Sequence, residues 1–380
     1  MINPVSFSFP TAIRFGPGVV SELGSYLKVQ NKKRPLLVCD SGIQKLDFLN
    51  QILDDLHSQG IQPILFCEIQ PNPVKSDVLA GKRVYLEGES DSILGIGGGA
   101  SMDVARSIAL AAHHDQDLFD FEDAKGGEHL VTEKIPHFIT VPTTSGTGSE
   151  VGRSSVISDD STHAKKILYS PRLMASQVFA DPNLTQDLPP KIAAATGVDA
   201  LTHHMEAYLS KGFHPMCDGI ALEGIRLVGE SLEKAVNKGD LEARCKMMAA
   251  AMTGAVAFQK GLGIVHSMAH ALSSHRNLHH GLANAVMLPA GLEFNAPVAA
   301  DRMTRICKLL SLPSPGPSTL IRWVKVLCER IGVPARLDTL GINTQDVSPL
   351  AALALEDPCH SCNPRPVKLD DFEELFRNSL

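Results

Sequence analysis

Short apolar runs bounded by polar or turn residues alternate with helically spaced stretches along the first half of the chain. RPLLVC (Arg34–Cys39), QPILFC (Gln62–Cys67), SILGI (Ser92–Ile96) and FITV (Phe138–Val141) are short and nearly continuous, which predicts strands buried on both faces. Between them, residues 44–59 and 74–86 repeat apolar positions every three to four residues and predict helices. Strand and helix in alternation predict a parallel sheet covered on both sides. The texture changes at Asp181-Pro182. Residues 191–209, 217–236, 241–258 and 283–294 have helical spacing, and strand candidates almost vanish. Pro189-Pro190 places proline where a helix's first turn tolerates it, and residues 313–317 form a turn-rich break. The predicted fold class is an α/β N-terminal domain, residues 1–182, followed by an all-α C-terminal domain, residues 183–380. No internal repeat or low-complexity tract interrupts either half.

Composition and charge narrow the functional classes. A chain of 380 residues fits two packed domains, and 44% hydrophobic with 20% charged residues is the balance of a globular protein with a large core. The net charge is −7 and the lysines and arginines are scattered, which argues against nucleic acid or an anionic membrane as partner. No run approaches the roughly 18 apolar residues of a membrane span. The opening MINPVSFSFP lacks a basic region and a long apolar run, so it does not read as a signal peptide. Eight dispersed cysteines in so long a chain suggest a reducing, cytoplasmic setting. Cys359 and Cys362 form one Cys-x-x-Cys, readable as ordinary loop cysteines or as a metal or redox pair.

The strand SILGI runs into GGGASMDVARSIALAAHH. A glycine-rich turn entering a helix presents free N–H groups and the positive end of the helix dipole, a site suited to pyrophosphate. Gly95, Gly97 and Ala100 satisfy a loose G-x-G-x-x-G/A pattern, with Gly98, Gly99 and Ser101 in the same turn. Asp40 follows the strand RPLLVC, where a carboxylate can hold a ribose and repel a 2′-phosphate. It precedes the glycines, the reverse of the usual order. Residues 142–150, PTTSGTGSE, follow the strand FITV with hydroxyls of Thr143, Thr144 and Thr147 suited to phosphate or amide contacts.

Histidines cluster in VHSMAHALSSHRNLHHG (Val265–Gly281), which holds five of the chain's fifteen. In GVDALTHHMEAYLS, Asp199 and His203 lie four apart on a predicted helix and project from one face. One carboxylate with imidazoles suits Fe²⁺, Zn²⁺ or Mn²⁺. His266 and His270 repeat that spacing, and His275, His279 and His280 follow. By spacing alone, any two of these five could complete a site begun by Asp199 and His203.

Seven segments, GGGASMD, VPTTSGTGSEV, ADPNLTQDLPP, AATGVDALTHHMEAYLS, GLGIVHSMAHAL, HHGLANAVMLP and CNPRPV, resemble the iron-containing (group III) alcohol dehydrogenases and occur in that family's order over nearly the whole chain. The resemblance implies a dinucleotide-binding N-terminal domain, a helical metal-binding domain of the dehydroquinate synthase-like architecture, and a metal in the cleft between them. It implies Asp199, His203, His266 and His280 as ligands, with His270 beside the nicotinamide. It places nucleotide contacts on Asp40, Asn72, Gly98 to Ala100, Thr143, Thr144, Lys165 and Leu184. The family's glycine turn reads GGGS; here Ala100 takes the serine's place, and a hydroxyl contact is lost unless Ser101 substitutes. Arg276, just before the last ligand, reads as a surface-turn residue or as a contact for an acidic substrate group.

The implied activity is hydride transfer between a small primary alcohol and nicotinamide C4, with NAD expected over NADP and Fe²⁺ or Zn²⁺ stabilising the alkoxide. His270 is the candidate for carrying the proton toward solvent. A homodimer or larger assembly is expected. The rival readings are a glycerol dehydrogenase-like zinc enzyme for polyols or hydroxy acids, and a non-catalytic NAD and metal sensor. Cyclising synthases of the same architecture need strongly basic pockets that these alanine-rich helices do not suggest.

Overall fold

All four predicted strands form, joined by four more. In the computed structural model, which describes residues 6–380, they are β1 (Ala12–Phe15), β2 (Pro35–Val38), β3 (Ile64–Phe66), β4 (Ser92–Gly97), β5 (His137–Pro142), β6 (Ser154–Ser158), β7 (Lys165–Tyr169) and β8 (Gln177–Ala180). The start of the stretch read above for a leader, residues 1–5, lies outside the described residues. Six strands make one wholly parallel sheet in the order β1-β8-β5-β4-β2-β3, and β6 and β7 form a separate antiparallel hairpin. Helices α1 (Leu23–Val29), α2 (Asp47–Ser58), α3 (Lys75–Glu87) and α4 (Gly99–Ala111) cover the sheet. Alternate residues go to opposite faces. Leu36 and Val38 join one core with Val78 of α3 and Val104 of α4; Leu37 and Cys39 join another with Leu27 of α1 and Ile52 of α2.

From β2 the chain steps outward to β3 and then returns to the other side of β2 for β4. That reversal opens a crevice beyond the C-terminal ends of β2 and β4, where open α/β sheets bind ligands. Asp40 and the glycine turn stand at those two ends.

The second half is helical: α5 (Pro190–Leu209), α6 (Pro215–Lys238), α7 (Leu241–Ala257), α8 (Ile264–Arg276), α9 (His280–Leu309), α10 (Pro317–Arg330), α11 (Val347–Glu356) and α12 (Leu369–Asn378). The helix expected over 283–294 instead runs through Pro289 and Pro297. Packing of Met287, Leu288, Leu292, Met303 and Ile306 into the core outweighs the local cost of the two prolines. Nearly every residue of α5 from Ala193 onward is buried, so it is the bundle's central helix, packed by α6, α7 and α9. No single helix among the described residues is long and apolar enough to cross a membrane.

The chain divides into two units: residues 9–144 with 148–187, and residues through Ser8, 145–147 and 188–380. The sequence reading drew one boundary after residue 182. The sheet unit extends past it because Asp181 at the end of β8 caps the turn Pro182–Thr185, accepting from the Asn183 N–H at 3.0 Å.

One polar knot lies inside the sheet unit. Arg106 of α4 is fully buried and donates to the carbonyls of Leu173 (3.1 Å), Ser154 (2.7 Å) and Ser149 while pairing with Asp103. Glu150 is buried nearby with its Oε1 unpaired. Burial pushes the Glu150 carboxyl up to about 7; a bond from its own N–H and the Arg106 charge oppose this without cancelling it. The folded chain therefore holds this proton more tightly than the unfolded chain, and stability falls as pH rises from the ordinary carboxyl range through about 7. Urea unfolding across pH 4–8 should show the wild type losing up to about 3 kcal/mol that Glu150→Gln does not lose. Parallel pH profiles for the two proteins would refute this.

Candidate functional site

Three helices of the second unit supply the site. On α5, Asp199, His203 and Glu206 are spaced by four and three and share one face. His204 points away: its Nε2 meets the Ala250 carbonyl at 2.8 Å, and its ring fills the space a side chain at Gly224 would need. Burial lowers His203 and His204 to about 4, so both are neutral imidazoles. On α8, His266 and His270 stand one turn apart. Asn277, left-handed at φ 53°, ends that helix, the His279 ring accepts from the Leu282 N–H, and α9 starts at His280. A Cβ on Gly281 would lie 2.6 Å from the Ala195 carbonyl. Glycine thus lets α9 begin close enough to α5 for His280 to face Asp199.

Asp199 Oδ1 lies 4.0 Å from His203 Nε2, 3.9 Å from His266 Nε2 and 3.5 Å from His280 Nε2. One donor atom from each of the four lies within 4.8 Å of every other. A buried carboxylate and three imidazole nitrogens converge. The Asn284 amide reaches in, with Nδ2 at 2.7 Å from Asp199 Oδ1, 3.1 Å from His280 Nε2 and 3.3 Å from His266 Nε2. Two N–H groups cannot serve three acceptors, and the Asn284 Oδ1 is itself buried without a partner. A divalent cation satisfies this donor set. Bonds of roughly 2.1 Å in a tetrahedron place neighbouring donors about 3.4 Å apart, just inside the spacings seen around Asp199.

Glu206 organises the second layer. Its carboxylate accepts the Val265 N–H at 2.7 Å, the His266 N–H at 3.3 Å and the His266 Nδ1–H at 2.6 Å. It therefore caps α8 at the positive end of the dipole and turns His266 Nε2 toward Asp199. Burial lowers the His266 imidazole, but the Glu206 bond and charge outweigh it and the net shift is upward. Asn363 Oδ1 accepts the neighbouring Ile264 N–H, and a Cβ on Gly263 would collide with both Glu206 and Asn363.

His270 lies beside the group of four. Its ring stacks on His280 with centroids 5.2 Å apart, while its Nδ1–H donates to Asp357 Oδ2 at 2.7 Å. Asp357 Oδ1 also accepts from the Ser267 hydroxyl and the Cys359 N–H. Burial works against the Asp357 charge, yet His270 and these bonds hold its carboxyl well below the usual range. Burial and the Asp357 charge keep Cys359 a protonated thiol. His275 and Arg276 both bond Asp346 at the base of α11, at 3.0 and 2.9 Å. Arg276 is thus tied to a protein carboxylate instead of standing free for an acidic ligand.

In the sheet unit, the nucleotide candidates gather at the strand ends. Gly97, at φ +145°, has Ser101 where its Cβ would be, so only glycine makes this turn. Asp40 Oδ1 accepts the Gly42 and Ile43 N–H groups at 2.8 and 3.0 Å, and Ser101 donates to Oδ2 at 3.4 Å. The Ser101 hydroxyl thus goes to Asp40 and does not replace a serine at Ala100. Thr143 donates its N–H to Gly97, its buried hydroxyl has no partner, and Thr144 packs against Gly98. Asn72 follows β3 and Leu184 follows β8. Lys165 pairs with Ser158, which bridges to Val74, so it lies by the Asn72 loop. Thr147 belongs to the helical unit. Glu206, Asn284 and Asp357 were missed in the sequence. Glu206 and Asn284 were findable, since they repeat the ligands' helical spacing at three and four residues; Asp357 carries no such signal.

The sequence pattern of the iron-containing alcohol dehydrogenases matches residues 10–182, and that of the Fe-containing alcohol dehydrogenase family's C-terminal part matches residues 193–380. The chain is 37% identical to a 4-hydroxybutyrate dehydrogenase of Cupriavidus necator over 97% of this chain and 98% of that one. It is 31% identical to an NAD-dependent methanol dehydrogenase of Bacillus methanolicus over 99% and 100%. A crystal structure of a 1,3-propanediol oxidoreductase, 33% identical, superposes over the whole of both chains with a TM-score of 0.95.

Because Glu206 orients His266 and caps its helix, Glu206→Gln should weaken metal affinity about 10–100-fold while the protein stays folded. Competition of Fe²⁺- or Zn²⁺-loaded protein against a chelator measures this. Unchanged affinity would leave Glu206 a helix cap only.

Proposed function

The chain belongs to the iron-containing alcohol dehydrogenase family, and from that premise we propose that it interconverts a small primary alcohol and its aldehyde, with NAD as hydride carrier and iron held by Asp199, His203, His266 and His280. The convergence of those four donors from α5, α8 and α9 carries the reading. Zn²⁺ is the second ion this donor set accepts. The names of the methanol and 4-hydroxybutyrate relatives support short primary alcohols, and that of the methanol enzyme supports NAD. Asp40 supports NAD over NADP through charge. A substrate bearing a carboxylate would need a cation other than Arg276, which Asp346 occupies. The exposed edge strand β1, with Phe9 and Phe15 uncovered, supports a homo-oligomer. Eight free cysteines support a cytoplasmic setting.

When bound, the metal would polarise the alcohol or carbonyl oxygen and the nicotinamide would exchange the hydride. The chain's own residues do the rest. Asp40, Asn72, Gly97 to Ser101, Thr143, Thr144, Thr147, Lys165 and Leu184 bind the dinucleotide, with the α4 N-terminus facing its pyrophosphate. Asp357 fixes the proton of His270 on Nδ1, leaving Nε2 free to accept the hydroxyl proton. The His270 side chain is 19% exposed where that of His266 is 2%, so His270 can pass a proton on to water.

His266→Ala and His280→Ala should each strip bound metal and abolish turnover. His270→Ala should keep the metal and lower kcat by roughly 10²–10⁴. Metal analysis beside a nicotinamide absorbance assay over short alcohols and aldehydes reads both. Metal lost with His270→Ala and kept with His280→Ala would overturn the assignment. No turnover on any substrate, with metal and NAD bound, would favour the sensor.

A further inference from the structure

Two of the cysteines meet at the nucleotide end of the sheet. β2 and β3 are paired with Val38 opposite Phe66. Cys39 and Cys67 continue that register by one residue, the Cys39 N–H donating to the Phe66 carbonyl at 3.1 Å. Neighbouring strands run about 4.8 Å apart, within the Cα separation of about 4.4–6.8 Å that a disulfide spans. The two Sγ atoms are 2.7 Å apart. Cys39 is fully buried and Cys67 keeps 7% exposure, so of the two residues only Cys67 touches solvent. The next residue after Cys39 is Asp40.

We propose that Cys39 and Cys67 form a reversible disulfide site, closed by hydrogen peroxide and reopened by a small thiol, whose closure weakens dinucleotide binding at Asp40. The functional half rests on the reading of Asp40 as a ribose contact. Cys67 is the attacking group: the hydrogen bond from Cys39 lowers its thiol, while that bond and burial raise Cys39. The Cys67 sulfur attacks a peroxide oxygen, giving a sulfenic acid and one water. The Cys39 sulfur then displaces the sulfenic oxygen, which leaves as a second water with the Cys39 proton. Two thiols give up two electrons and peroxide takes them; two equivalents of small thiol reverse the exchange and leave as their own disulfide. The bond ties the end of β2 to β3 directly before Asp40. The position of that carboxylate is set by its bonds to Gly42, Ile43 and Ser101 across the crevice.

The test uses the full chain loaded with redox-inert Zn²⁺, treated with hydrogen peroxide, digested without reductant and read by mass spectrometry. A linked peptide pair joining Cys39 to Cys67 is expected, lost on adding dithiothreitol. NADH titration by fluorescence should show a severalfold higher Kd in the oxidised protein, restored by reduction. Cys67→Ser should give neither change and bind NADH as the reduced wild type does. Oxidation confined to Cys245, Cys359 or Cys362, with Cys39 and Cys67 still free, would overturn the site. A linked pair with unchanged NADH affinity would overturn its coupling to binding. NADH affinity unchanged in reduced Asp40→Ala would instead overturn the reading of Asp40.

Discussion

A carboxylate that is 1% exposed, facing three imidazoles in the middle of a helical bundle, is the constraint around which this half of the protein is arranged. Burying one negative charge among lone pairs is unfavourable unless a cation answers it. The surrounding helices hold the donors in place. Gly281 lets α9 approach the α5 backbone, Gly263 leaves room for the Glu206 carboxylate, and Gly224 makes space for the unused His204 ring. The first two remove a side chain where a donor, or the group positioning one, must pass.

The sheet half solves a different problem with backbone. The reversal of strand order between β2 and β4 makes a crevice in any sheet so connected. What is particular to this chain is the stitching across it: Asp40 at the end of β2 bonds its own following turn and faces Ser101 in the first turn of α4. A charged loop and a glycine turn on separate strands are thereby held in one frame.

Legibility in the sequence followed how local each signal was. The central strands are continuous apolar runs and stand out. β1, β6 and β7 carry exposed or polar residues at most positions, and β8 is a four-residue strand, so none breaks the surrounding texture. Helix spacing disclosed Asp199 with His203 and His266 with His270, but it could not choose among the five histidines of Val265–Gly281. That choice came from resemblance, and the structure sets His266 and His280, not His275 or His279, beside Asp199. Asp357 lies 87 residues from His270 in the chain, so only the packing of α11 on α8 brings them together.

The pairing of His266 with Glu206 and of His270 with Asp357 puts one chemical unit in two settings. In both, a carboxylate accepts the Nδ1–H, at 2.6 and 2.7 Å, which leaves Nε2 as the working nitrogen. The tautomer therefore does not distinguish the two histidines. Position does. Glu206 sits on α5 with Asp199 and His203 and holds His266 in the closed interior. Asp357 sits at the mouth of the short turn after α11 and holds His270 partly open to water. His270, 19% exposed, can exchange a proton with solvent and His266, 2% exposed, cannot, so where each acid lies in the fold sets what its histidine can reach.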